Sequence, residues 1–221
     1  MKFRGVIFDL DGTLLDTIYD ITTALNLVMF RNGFREYSVS ECKKMVGEGM
    51  EVLIKRAVPE IANNPEAIRQ LIQEYRQEYA KIWRHTSRPY PGIPEVLARL
   101  RQAGIKTAVL SNKSHEFTEL MTKELLPFPF EVIRGAKPGV PVKPDPLPAR
   151  LVLEELKLKP SEVIYVGDTS VDMETAVAAG IFPAGALWGF RDSQELLASG
   201  AQVLLHTPYD LLLLIFDEDK K

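Results

Sequence analysis

Apolar and polar positions along the chain follow two different rules. From Arg4 to Leu10 the residues are mostly β-branched or aromatic and the run is closed by Gly12, which predicts a short buried strand followed by a tight turn. From Asp16 the period lengthens. Ile18, Ile21, Leu25, Val28 and Met29 recur at helical spacing until Asn32-Gly33 supplies a left-handed stop. Ser38 and Glu41 stand in capping-box positions for a second short helix that Gly47 ends, and Met50, Leu53, Ile54 and Ala57 predict a third. Asn64 before Pro65 opens a fourth, with Ile68, Leu71, Ile72, Tyr75, Tyr79 and Ile82 on one face. Successive helices with no strand between them predict a separate small bundle, closed by the stiff segment from Thr86 to Pro91.

Beyond that segment strand and helix alternate. The pattern predicts helices over 94–103, 114–125, 147–156 and 171–179, and strands over 105–110, 130–134, 163–166, 182–188 and 202–205. Such alternation implies an α/β fold, a Rossmann-like doubly wound parallel sheet whose ligands bind outside the carboxyl ends of the strands. The expected organisation is a core of residues 1–15 and 87–221 with a helical insertion over 16–86, entering after the first strand, where it can serve as a lid.

Composition narrows the function classes. With 221 residues and 46% hydrophobic positions the chain can bury a sizeable core. Its 27 basic and 30 acidic residues leave a formal charge of −3, and no Lys/Arg run is dense enough to track a phosphate backbone, so no nucleic-acid partner is expected. A lone Cys42 excludes an internal disulfide framework and fits a reducing compartment. The first residues carry no extended apolar stretch, and the run Leu211 to Phe216 is too short to span a bilayer. The expectation is a cytoplasmic protein without a membrane partner.

Candidate chemistry collects at the predicted strand ends. Asp9, Ser111, Lys143 and Asp168 each lie at or just beyond one, so the fold can bring them to one crevice. Asp9, Asp11, Asp168 and Asp172 would crowd several negative charges together, and repulsion would return their protons unless a cation intervenes. Oxygen-only ligands with room for water and phosphate favour Mg²⁺. Lys143 adds a positive charge, and Ser111 with Asn112 a hydroxyl and an amide suited to phosphoryl oxygens. Other polar residues have plainer explanations. Asp16 reads as a cap of the first insertion helix, His85, His115 and His206 show no metal spacing, and Cys42 reads as packing. Lys55 and Arg56 fit either a helix surface or a contact to a substrate carboxylate, and the Tyr75, Tyr79, Trp83 stripe reads as insertion core.

Four segments, Asp9-Leu10-Asp11-Gly12-Thr13-Leu14-Leu15-Asp16-Thr17, Leu110-Ser111-Asn112-Lys113, Lys143-Pro144-Asp145-Pro146 and Gly167-Asp168-Thr169-Ser170-Val171-Asp172, resemble in order the motifs of the haloacid dehalogenase superfamily. Gly47-Glu48-Gly49 with Val52-Leu53, and the second and third segments, look most like phosphoglycolate phosphatases and their pyrophosphatase relatives. The resemblance implies a Mg²⁺-dependent phosphatase acting on a small phosphorylated metabolite, as a monomer or homodimer. It implies Asp9 as nucleophile, forming an aspartyl-phosphate, and Asp11 as general acid and base. Asp9, the Asp11 carbonyl and Asp168 would hold the metal, with Asp172 supporting them. Ser111, Asn112 and Lys143 would bind the phosphoryl group together with the Gly12-Thr13 turn. A β-phosphoglucomutase-like enzyme is an alternative, although Met50 stands where that group carries an arginine. A catalytically silent scaffold is another, against which the complete set of Asp9, Asp11, Lys143 and Asp168 speaks.

Overall fold

The computed structural model describes residues Phe3 to Phe216. Its backbone contacts divide the chain into two compact units, Met1–Leu15 with Pro89–Lys221, and Asp16–Arg88.

The first unit begins with β1 (Gly5–Phe8), whose four residues are all buried. The chain then passes through β2 (Leu15–Asp16) into the second unit and returns through β3 (Arg88–Pro89). From there α5 (Ile93–Gln102), β4 (Lys106–Ser114), α6 (His115–Leu125), β5 (Val132–Ala136) and α7 (Leu147–Leu156) follow. The unit continues with β6 (Val163–Gly167), α8 (Ser170–Ala179), β7 (Phe182–Ala186), α9 (Ser193–Ala198), β8 (Val203–Leu205) and α10 (Asp210–Phe216). Six strands make one parallel sheet in the order β5-β4-β1-β6-β7-β8. The strand that starts the chain is therefore central, which is why Val6, Ile7 and Phe8 form a continuous apolar run rather than an alternating one. On one face Ile7, Leu110, Tyr165, Val152, Leu156 and Ala176 close a core against α7 and α8. Val96, Leu97 and Leu100 of α5 are likewise buried.

Register sets the site. Phe8 is paired with Val109 on one side and with Val166 on the other. The residues that follow, Asp9, Leu110-Ser111 and Gly167-Asp168, therefore lie side by side at the carboxyl edge of the sheet. Strand β4 runs four residues past the predicted end at Leu110, because a register shift between Leu110 and Ser114 lets Ser114 pair again, with Ala136 of β5.

The second unit holds α1 (Ile18–Arg31), α2 (Val39–Met45), α3 (Met50–Ala57), a 3₁₀ turn over Pro59–Ile61 and α4 (Pro65–Ile82). The expected capping box at Ser38 and Glu41 is formed, and Asn64 caps α4 by accepting from the Glu66 and Ala67 amides. Tyr75 and Tyr79 stack inside this unit, and Trp83 is buried there too. Asp16 does not cap α1. It lies in β2, and the N-cap position falls to Thr17.

A carboxylate that sequence patterning passes over ties this unit together. Asp20, in the first turn of α1, accepts from the Thr86 amide and hydroxyl and from the Ser87 amide and hydroxyl, with hydroxyl contacts of 2.7 Å each. Burial works to raise its pKa, but the bonds from Ser87 and Thr86 outweigh it and the net shift is downward. A depressed carboxyl pKa gives stability that is present above the unfolded value near 4 and is lost as pH falls through the folded value. Asp20→Ala is expected to cost about 2–4 kcal/mol at pH 7. The difference from the parent should shrink below about pH 4 in pH-dependent chemical denaturation; a difference that does not change with pH contradicts the clasp. Among the described residues no helix is long and apolar enough to cross a membrane.

Candidate active site

Three carboxylates meet where β1 and β6 end. Asp9, Asp168 and Asp172 each offer an oxygen within 4.8 Å of the others, and all three residues are buried. Asp9 directly follows β1, and its amide donates to the Val166 carbonyl of β6 at 3.0 Å. Asp168 follows β6. Asp172 lies in the first turn of α8, where its Oδ2 completes a capping box by accepting from the Thr169 amide and hydroxyl at 3.0 and 2.7 Å.

Lys143 enters the same volume from the segment between β5 and α7, only 2% exposed. Its Nζ lies 2.6 Å from Asp172 Oδ1 and 3.0 Å from Asp9 Oδ1. The first contact is a hydrogen bond; at Asp9 the angle is poor, so Oδ1 is held by charge and accepts no hydrogen bond. Burial opposes the Lys143 charge, but Asp172 and Asp9 overcome it and hold the ammonium well above its ordinary pKa. Asn112 fixes the lysine's backbone from both sides: its amide nitrogen donates to the Lys143 carbonyl and its oxygen accepts from the Lys143 amide, each at 2.9 Å. The side chain expected at the phosphoryl group thus positions the lysine.

The Gly12-Thr13 turn also has a structural task. Gly12 has φ +84°, and a Cβ there would sit 2.2 Å from Asp168 Oδ2, so only glycine lets the turn approach the carboxylate. Its amide, expected to aim at a ligand, donates instead to the Leu15 carbonyl at 2.8 Å. The Thr13 hydroxyl donates to Asp168 Oδ1 at 2.8 Å, and the Phe190 amide to Oδ2 at 2.8 Å. Trp188 Nε1 donates to the Thr13 carbonyl at 2.9 Å and steadies the turn from beyond β7. Ser111, 4% exposed, lies at the β4 edge, where a recess is lined by Ser111, Asn112, Arg134, Lys137 and Lys143.

Asp11 stands apart from the carboxylate trio. Both its oxygens accept from Lys113 Nζ, at 3.1 and 2.9 Å. Lys113, Trp188 and Phe190 carried no sequence assignment. Only Lys113 had a usable signal, an ammonium two residues beyond the serine at a strand end.

Burial pushes the Asp9 carboxyl up to about 7. Lys143 pulls the other way, and Asp172 and Asp11 add to the rise. Asp168 is also raised well above the ordinary range, first by burial and then by Asp172 and Asp9. Two ammonium groups, Lys143 and Lys113, face four carboxyl groups, so ionising all four would leave the site short of positive charge, in keeping with the raised pKa values of Asp9 and Asp168. A hard, all-oxygen donor set, a buried Asp9 oxygen that accepts no hydrogen bond and two carboxyls whose ionisation their neighbours oppose together fit a small divalent cation.

Residues 6–186, which hold the central strand and the acidic cluster, match the haloacid dehalogenase-like hydrolase family. The chain belongs to that family. It is an enzyme, phosphoglycolate phosphatase-like in sequence and fold. It is 30% identical over 220 residues to a phosphoglycolate phosphatase of Nitrosospira multiformis, covering 97% of this chain and 96% of the relative. Over 221 residues it is 31% identical to an N-acetylmuramic acid 6-phosphate phosphatase of Pseudomonas aeruginosa, covering 96% and 94%. A crystal structure from Lactobacillus delbrueckii, assigned as a phosphoglycolate phosphatase, superposes with a TM-score of 0.91 at 31% identity, covering 99% of this chain and all of that one.

Proposed function

We propose that this enzyme is a Mg²⁺-dependent phosphomonoesterase acting on a small phosphorylated metabolite, 2-phosphoglycolate foremost, with residues 1–15 and 87–221 as the catalytic core and 16–86 as its cap. The observation that carries the reading is the Asp9–Lys143–Asp172 ion-pair chain beside Asp168 at the carboxyl edge of the sheet.

In this reading Asp9 attacks phosphorus, an oxygen–phosphorus bond forms and the ester P–O bond breaks. Asp11 gives its proton to the departing alkoxide. Water then attacks the aspartyl-phosphate, Asp11 takes a proton from it, and Asp9 is returned with release of inorganic phosphate. Lys143 holds Asp9 in line and, with Ser111, receives the phosphoryl oxygens. Asp9, Asp168 and the Asp11 carbonyl would hold Mg²⁺; Asp172, whose oxygens are engaged by Lys143 and Thr169, would support them through Lys143. When bound, the ion supplies charge neutralisation at the phosphoryl oxygens.

Two measurements test this. Phosphate release should require Mg²⁺ and stop with chelator. At about 100 times its Kd the ion should also stabilise the protein by about 2.7 kcal/mol, which raises the melting temperature by roughly 5–10 °C; a melting temperature indifferent to Mg²⁺ contradicts the metal assignment. A panel of 2-phosphoglycolate, pyrophosphate, sugar phosphates including N-acetylmuramic acid 6-phosphate, and nucleotides then ranks substrates by kcat/KM. A wide lead for pyrophosphate or a hexose phosphate overturns the phosphoglycolate choice while leaving the phosphatase reading intact.

A further inference from the structure

Lys113 is placed with more care than a surface lysine needs. Its side chain is 9% exposed, and its ammonium meets both oxygens of Asp11 across 102 residues of sequence. Its backbone is held on both sides: the Lys113 amide donates to Ser111 Oγ at 3.3 Å, and the Thr118 hydroxyl is shared between the Ser114 carbonyl at 3.0 Å and the Lys113 carbonyl at 3.2 Å. Gly135 of β5 presses on the same point, where a Cβ would lie 2.7 Å from the Lys113 carbonyl and 2.4 Å from Thr118 Oγ1. The register shift between Leu110 and Ser114 spans this residue, so Lys113 sits in the irregular part of β4.

A carboxylate on a turn has rotational freedom about two bonds, and a two-point contact from a fixed donor removes it. We infer that Lys113 is a positioning residue: its ammonium holds Asp11 by both oxygens when the group is ionised and, when Asp11 carries its proton on one oxygen, keeps its contact to the other, so that the proton-bearing oxygen stays oriented for transfer to the leaving oxygen. The inference rests on the acid/base reading of Asp11 above. Misplacing a proton donor by about an ångström can cost on the order of 10²-fold in rate. That loss depends on the leaving group, because an aryloxide departs without a proton and an alkoxide does not.

The test compares kcat/KM, with Mg²⁺ present, for an alkyl phosphate and for p-nitrophenyl phosphate in the parent, Lys113→Gln, Lys113→Arg, Asp11→Asn and the Asp11→Asn/Lys113→Gln pair. Lys113→Gln should lose about 10–100-fold on the alkyl ester and under about 3-fold on the aryl ester. Lys113→Arg keeps the charge with a different fork, and should give an intermediate ratio. In the Asp11→Asn background Lys113→Gln should cost nothing more. Equal losses on both esters in the Lys113 variants, or additive losses in the pair, overturn the positioning role while Asp11→Asn still discriminates between the leaving groups. If Asp11→Asn itself does not discriminate, the acid/base reading and this inference fall together.

Discussion

Lys143→Met abolishes turnover and lowers the melting temperature by roughly 6–20 °C, the equivalent of about 3–5 kcal/mol for a buried ion pair that loses one partner. Methionine matches the volume, so the loss is one of charge, not packing. Without the ammonium, Asp172 at 0% exposure and Asp9 with a side chain at 7% face each other and Asp168 with no cation between them. The pH dependence has a definite sign. The Lys143 pKa is raised, so its stabilisation is fully present below the unfolded value near 10.4 and is lost only as pH rises through the folded one. The Asp9 pKa is raised to about 7, so stability is lost progressively as pH rises from the unfolded value near 4 to about 7, and the full cost is in place above it. The deficit of Lys143→Met should therefore be largest above pH 7, smaller at pH 5, and reduced by added Mg²⁺. Thermal melts at both pH values check this, and a melting temperature within 2 °C of the parent at pH 8 would remove Lys143 from the centre of the site.

Asp9→Asn has the second large effect, and it separates activity from stability. Loss of a nucleophile lowers kcat by on the order of 10⁴–10⁶-fold. Asparagine needs no charge buried, and Lys143 keeps its 2.6 Å contact to Asp172, so the variant should melt at or above the parent temperature without metal. Acid-stable labelling of the parent by a radioactive phosphoryl donor, absent in Asp9→Asn, reports the covalent intermediate. Turnover within tenfold of the parent would sink the nucleophile assignment.

The fold was largely legible because its signals are local. The apolar run before Asp9, the Ser38–Glu41 box and the Asn64-Pro65 start each give the element they encode. Two helices escaped. α9 is only six residues long, announced by Asp192 accepting from the Glu195 amide, a cap signal easily lost after Gly189. α10 contains Leu211 to Phe216, a run read for its length against a bilayer and not for its burial of Leu211 and Ile215. The acidic cluster was visible as letters at strand ends. What the letters could not carry was side-chain direction. The Asn112 amide clasps a backbone, the Gly12 amide closes its own turn and Asp11 meets Lys113, and each of these depends on a bulge or rotamer that no spacing encodes.

The central position of β1 has a chronological consequence. A ribosome delivers Val6, Ile7 and Phe8 well before their partners: Thr107 to Val109 and Ile164 to Val166 emerge about a hundred and about a hundred and sixty residues later. The intervening helical unit is contiguous and can complete its own contacts during that wait, while the founding strand has nothing to pair with. In the core, then, the segment bearing Asp9 is made before both of its sheet neighbours and can be locked only once they have emerged.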